Sequence, residues 1–183
     1  NFIDCPGSIE FSEDAKAVLP VCDAAIVVVD ADAKKAPALQ LILRELDRVG
    51  LPRIVFLNKI DKADAAPRDV LSWMQPASSK PLMLRQLPIW SNSVVSGFVD
   101  LALERAHIYQ ELADSRVVDM PADIAALEKQ ERFTLLETLA DHDDALMEQL
   151  LSDMEPPRDQ VFNDLKRDIR EGLRRVIHHE PRA

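Results

Sequence analysis

Two short stretches constrain the fold of this chain more than anything else in it: Ala24-Ala25-Ile26-Val27-Val28-Val29 and Arg53-Ile54-Val55-Phe56-Leu57. A strand with one wet face alternates apolar and polar residues. A run that is apolar at both parities wants cover on both faces, which is the condition inside a parallel sheet. Between the runs, Leu39, Ile42, Leu43, Leu46 and Val49 recur at the spacing of one helical face. Pro37 suits the first turn of that helix and Gly50 its stop. Together these segments predict strand, helix and parallel strand, a βαβ unit with short connections.

Helical spacing also covers residues 9–19, through Ile9, Phe11, Ala15, Val18 and Leu19, and residues 68–74, ahead of Pro76. Phe2-Ile3-Asp4 reads as the end of a strand. Past residue 79 the character changes. Residues 81–90 and 94–110 read as strands, with a turn signal at Ser96-Gly97. From Pro121 onward the pattern is helical. Ile124, Leu127, Leu135, Leu136 and Leu139 mark one helix, and Leu146, Met147, Leu150, Leu151 and Met154 a second. Pro156-Pro157 interrupts, and Val161, Leu165, Ile169, Leu173 and Ile177 then mark a last helix. This reading divides the chain into an α/β part, residues 1–79, and an α+β part, residues 80–183, whose second half is helical.

Only four glycines occur in 183 residues: Gly7, Gly50, Gly97 and Gly172. No three of them have the spacing of a dinucleotide fingerprint, and none precedes the Lys-Ser/Thr of a Walker A loop. The formal net charge is −10, and residues 111–183 hold 18 acidic against 10 basic groups. Phosphate backbones are bound by basic surfaces, so no direct contact of this segment with nucleic acid is expected. No stretch of 18 apolar residues is present to span a membrane. Cys5 and Cys22 give no disulfide framework and suit a reducing cytosol, so a cytoplasmic location is expected.

Two motifs carry chemistry. Asp4-Cys5-Pro6-Gly7 is an Asp-x-x-Gly between a strand end and a helix, where ligands of open α/β sheets sit. An Asp there can hold a Mg²⁺-bound water, and a Gly lets its backbone N–H approach a phosphate. Taken alone, the same four residues are better read as a plain strand-to-helix turn. Asn58-Lys59-Ile60-Asp61 directly follows the second apolar run. A carboxylate at the Asp position accepts hydrogen bonds from the ring N–H and the exocyclic amine of guanine, a pattern adenine lacks. The wrong base strands a desolvated carboxylate, at a cost of about 1–3 kcal/mol. The Lys stem lies over the base face and the Asn ties the base to neighbouring loops. One helix, one strand and one more helix precede the strand that leads to Asn58, so both motifs are expected at the same edge of one parallel sheet. As a pair they read as a site for GTP or GDP.

The residues also resemble a known family. Asn1-Phe2-Ile3-Asp4-Cys5-Pro6-Gly7-Ser8-Ile9-Glu10-Phe11 resembles the Asp-Thr-Pro-Gly-His-Val-Asp-Phe stretch of translational GTPases, and Val21-Cys22-Asp23-Ala24-Ala25 resembles the segment after it. The run from Val49 through Asp61 resembles the base-reading strand of bacterial elongation factor G. Gln86-Leu87-Pro88-Ile89, Ser96-Gly97-Phe98-Val99-Asp100-Leu101 and Met120-Pro121-Ala122-Asp123 resemble the subdomain inserted into that factor's G domain. The resemblance covers nearly the whole chain. It implies an α/β fold: part of a P-loop GTPase-type parallel sheet with its helices, plus an inserted α+β subdomain. It implies that Asp4 serves Mg²⁺ through water, that Gly7 senses the γ-phosphate, and that Asn58, Lys59 and Asp61 read guanine. It implies the ribosome as partner, with the acidic helices suited to the ribosomal stalk protein. It also places the family's phosphate loop upstream of Asn1 and its guanine-supporting Ser-Ala motif downstream of Ala183, so an internal piece of a longer protein is expected.

The departures are as informative. The family carries a His after the Gly of Asp-x-x-Gly, where it positions the attacking water; here the residue is Ser8. A short hydroxyl neither reaches as far nor carries the charge, so slow hydrolysis, or hydrolysis by another route, is expected. The alternative is a hydrolysis-deficient paralogue that serves as a ribosome-associated regulatory or protein-interaction module. Cys5 stands for the usual Thr, and residues 33–40 depart from the family's Gly-Val-Gln-Pro-Gln run. Asp141-His142-Asp143-Asp144 reads as solvated helix caps and not as a metal cluster. A sheet without its phosphate-loop strand presents an open edge, which invites pairing with a second copy. Phosphate contacts supply much of nucleotide affinity. These 183 residues alone are therefore expected to bind GTP very weakly and to hydrolyse none. Titration calorimetry checks this, and micromolar binding would contradict it.

Overall fold

The structure, a computed structural model, describes residues 1–8, 10, 12–63 and 65–171, and the backbone of residues 175–179. The expected βαβ unit is present. After α1 (Ser12–Val18) come β1 (Ala25–Asp30), α2 (Ala36–Val49), β2 (Arg53–Asn58) and α3 (Pro67–Met74). β1 and β2 are parallel, with Ala25 opposite Arg53 and Asp30 opposite Asn58. Pro37 lies in the first turn of α2, and Gly50 ends it at φ 72°, the left-handed cap that glycine adopts without strain. The cap is sealed by the Leu51 N–H, which donates to Leu46 O at 3.1 Å. Leu39, Leu43 and Leu46 of α2 and Val70 and Met74 of α3 bury Val27, Val55 and Leu57 of the strands.

The expectation that both faces of the runs are covered holds for one face only. Ile26 and Val28 remain 60% and 59% exposed, beside Ile54 and Phe56 in register on β2. Topology supplies the reason. The sheet order is β1-β2-β8-β3, where β3 is Leu82–Leu84 and β8 is Arg175–His179. The chain steps from β1 to β2 to β3 in one direction across the sheet, and right-handed crossovers then place α2 and α3 on the same side.

The second sheet is a four-stranded antiparallel meander, β4 (Gln86–Ser91), β5 (Val94–Asp100), β6 (Arg105–Gln110) and β7 (Ala113–Val118). Then follow α4 (Ala125–Ala140), α5 (Asp144–Leu151) and α6 (Arg158–Arg170). Asp143 caps α5 by accepting from the Leu146 N–H at 3.0 Å. The chain thus has the α/β sheet with an inserted α+β unit that the sequence implies.

Five local expectations differ. Residues 1–7 form no strand and are largely exposed: the parallel sheet offers Phe2-Ile3-Asp4 no ladder, and so few residues cannot hold one alone. The first helix is Ser12–Val18, and Ile9 and Phe11 lie outside the described residues. The Ser96-Gly97 pair lies inside β5. Gly97 is needed there because a Cβ would stand 2.0 Å from the His107 carbonyl oxygen across the ladder. The hairpin turns instead at Asn92 and Ser93, both at positive φ, as a two-residue loop joining twisted strands requires. The last helix ends at Arg170 and residues 175–179 are strand β8, while Leu173 lies outside the described residues. Consequently residue 79 does not separate the sheets, since β3 and β8 both belong to the parallel one.

The one-sided cover has a measurable consequence. Leu57→Ala, at a fully buried site, is expected to cost about 2–5 kcal/mol. Val28→Ala, on the open face, should change stability by no more than about 0.5 kcal/mol. Denaturant unfolding of the two variants checks this, and equal losses would contradict it.

Candidate functional site at the carboxyl edge of the parallel sheet

β1 and β2 end side by side, and the Ala31 N–H donates to Asn58 O at 3.2 Å across them. Just past β2 the chain turns sharply. Lys59 takes φ 56°, and residues Ile60–Lys62 form one turn of 3₁₀ helix. Ile60 is 1% exposed and pins that turn to the core. Its neighbours Lys59 and Asp61 are thereby left on the outside. Asp61 is exposed, and its carboxylate accepts no hydrogen bond among the described residues. The Lys59 ammonium donates from Nζ to Asp30 Oδ2 at 2.8 Å. An open cleft of about 400 Å³ lies here, lined by Asp30, Asp32, Lys59, Lys62 and Trp73 together with the alanines between. Asp32 holds the loop after β1 by accepting from the Lys34 N–H at 2.9 Å.

The other motif stands apart. Asp4, Gly7 and Ser8 are exposed, and a Cβ at Gly7 would meet no atom within 4 Å. Ser8 donates from Oγ to Glu10 Oε1 at 3.2 Å. Among the described residues no side-chain hydrogen bond joins this segment to Asn58, Lys59 or Asp61. The structure therefore places the Asn58–Asp61 turn at the end of β2 and does not bring the Asp-x-x-Gly segment to it. The expected common edge holds for the first and not for the second, because residues 1–4 have no strand partner to place them.

Of the expected guanine-reading residues only Lys59 lines this cleft; Asp61 is an exposed carboxylate two residues further on, and a carboxylate with a nearby lysine is a donor set that would suit a guanine base. For Mg²⁺, a lone carboxylate at Asp4 suits contact through a retained water, as Mg²⁺ favours, and not a cage. Among the described residues no group of three His, Cys, Asp or Glu could hold a metal. No helix among them is long and apolar enough to cross a membrane.

Sequence reasoning missed Asp30 and the anchoring role of Ile60. The only signal for Asp30 was position: it is the first charge after a six-residue apolar run, so it must stand at the strand's carboxyl end.

A parallel sheet with short αβ connections and an α+β insertion is the architecture of a P-loop GTPase-type α/β fold. Residues 1–154 match the family described as elongation factor Tu GTP binding domain, and the chain belongs to that family. It is 37% identical over 169 residues to an elongation factor G-like protein of Synechocystis sp. (strain ATCC 27184 / PCC 6803 / Kazusa), a match covering 92% of this chain. The chain spans 25% of that relative's length. A crystal structure of a Thermus thermophilus protein shares the fold, with a TM-score of 0.79 at 24% identity over 97% of this chain and 26% of that one.

Proposed function

We propose that this chain reads guanine within the GTP-binding domain of an elongation factor G-like translation factor that acts on the ribosome in the cytoplasm. The observation that carries the reading is Asn58-Lys59-Ile60-Asp61 at the carboxyl end of β2, with the Asp61 carboxylate exposed and open and Lys59 beside a cleft. Membership of the GTP-binding domain family supports it. Asp61 accepts from the guanine N–H groups, Lys59 covers the base face, and Asn58 ties the base to its surroundings. Asp4 would hold Mg²⁺ through water and Gly7 would offer its N–H to the γ-phosphate, and the bound metal would supply neutralisation of phosphate charge. The acidic helices α4 to α6 suit a docking role toward the ribosomal stalk, and in these 183 residues taken alone the edge strand β1 offers backbone groups to a second copy.

Ser8 favours a second reading on the same ligand: a factor that binds GTP as a switch and hydrolyses it slowly. An imidazole at this position can hold and orient a water; the Ser8 hydroxyl is short and is engaged with Glu10.

Two measurements on the full-length protein test these readings. Asp61→Asn should weaken GDP binding by about tenfold or more and improve binding of xanthosine diphosphate, whose C2 carbonyl accepts from the new amide. Fluorescence titration with both nucleotides checks this, and unchanged GDP affinity would remove Asp61 from the site. Ser8→His should raise ribosome-stimulated GTP hydrolysis by about 10²-fold, the usual scale of a positioned acid or base. A wild-type rate equal to that of the variant would eliminate the slow-switch reading.

A further inference from the structure

From the geometry at the sheet edge we infer that Asp30 is a positioning residue for nucleotide binding, holding Lys59 extended at the edge of the base cleft before the nucleotide arrives. The inference rests on the guanine-reading role of Lys59 proposed above. Four observations carry it. Asp30 and Lys59 are distant in sequence, yet parallel pairing sets Asp30 directly opposite Asn58, so the ion pair is built into the register of β1 on β2. The left-handed turn at Lys59 sends its side chain back toward the neighbouring strand end, where Nζ meets Asp30 Oδ2 at 2.8 Å. Both side chains are about one-third exposed and both line the cleft. Asp30 makes no other side-chain hydrogen bond among the described residues, so this carboxylate's visible work is to hold the ammonium.

A pair this exposed adds little to folding stability. Its effect belongs to binding. A free lysine stem samples many rotamers and must be ordered when the base arrives, so ordering it in advance removes part of the cost of association. Asp30 thus acts on the ligand through Lys59 and does not touch the base.

The test is titration of fluorescently labelled GDP into the full-length protein carrying Asp30→Asn, Asp30→Glu, Lys59→Ala, or Asp30→Asn with Lys59→Ala, alongside thermal unfolding. Asp30→Asn should weaken GDP binding by about 3- to 10-fold, the scale of ordering one flexible side chain, with little change in melting temperature. Asp30→Glu should restore most of the affinity, because charge and not shape is what Lys59 needs. The double variant should bind no more weakly than Lys59→Ala alone, since the carboxylate has nothing left to position. Wild-type affinity in Asp30→Asn, additive losses in the double variant, or no recovery in Asp30→Glu would each overturn the inference while leaving guanine recognition standing. Failure of the wild-type protein to bind GDP would overturn both.

Discussion

The arrangement rests on one buried ion pair. Arg85 is the single residue between β3 of the parallel sheet and β4 of the antiparallel one. Its Nη2 donates to Asp100 Oδ2 at 2.6 Å, and both residues are buried. Burial pushes the guanidinium below its ordinary pKa, and the Asp100 charge opposes that shift. The other Asp100 oxygen accepts from the N–H groups of Ala102 and Leu103, so the same carboxylate also shapes the β5–β6 loop. The Arg85 guanidinium lies 5.5 Å from the ring centre of Phe162 on α6. The point where the chain changes sheet is thereby tied to the end of β5 and to a helix. Removing either partner leaves a buried charge alone, at a cost of about 3–5 kcal/mol, whereas replacing both by apolar groups is often neutral. The geometry of the junction is what the pair supplies.

The helical half follows the same economy. Acidic groups outnumber basic ones there, and a few arginines each serve several partners. Arg132 donates to the carbonyls of Leu101 and Ala102 and pairs with Glu104, which is shared with Arg158. Arg167 meets Asp143 at 2.8 Å and Asp164 at 3.1 Å, joining α6 to the cap of α5. Burial still outweighs the nearby cations at two acids: burial first, and then the Glu104 charge, raises Glu128 against Arg132, and burial raises Asp164 against Arg167. Four acids of these helices, Glu128, Glu131, Asp164 and Asp168, are buried, while arginines hold the joints.

The legible parts of the sequence are those where local pattern and tertiary need agree. The β1–α2–β2 unit announces itself because each segment has one period and a clean stop, and the turn after β2 because its four residues are a compact chemical statement. β8 was illegible. Ile177 falls on the same i, i+4 spacing that runs through Val161, Leu165 and Ile169, so periodicity extends the helix. Pairing with Ile54 through Leu57 on one side and Leu82 through Leu84 on the other makes that segment a strand. Ser96-Gly97 misled for a related reason: the glycine answers to the His107 carbonyl on the next strand and not to a turn. Asp30 escaped notice because one carboxylate at a strand end has no pattern until its neighbour strand is known.

The position of β8 bears on how the chain reaches this structure as it is synthesised. Ile54 is matched to Val176 across most of the chain, with the entire meander and the four helices α3 to α6 made in between. β1 can find β2 early, and the meander closes through local contacts, but nothing can bridge β2 to β3 until β8 emerges. Throughout that interval β2 carries an unsatisfied ladder, open to pairing with the wrong strand. Non-local pairing of this kind is slow. These four strands are thus joined from the middle, and α6, which precedes β8, is the element on whose docking that joining waits.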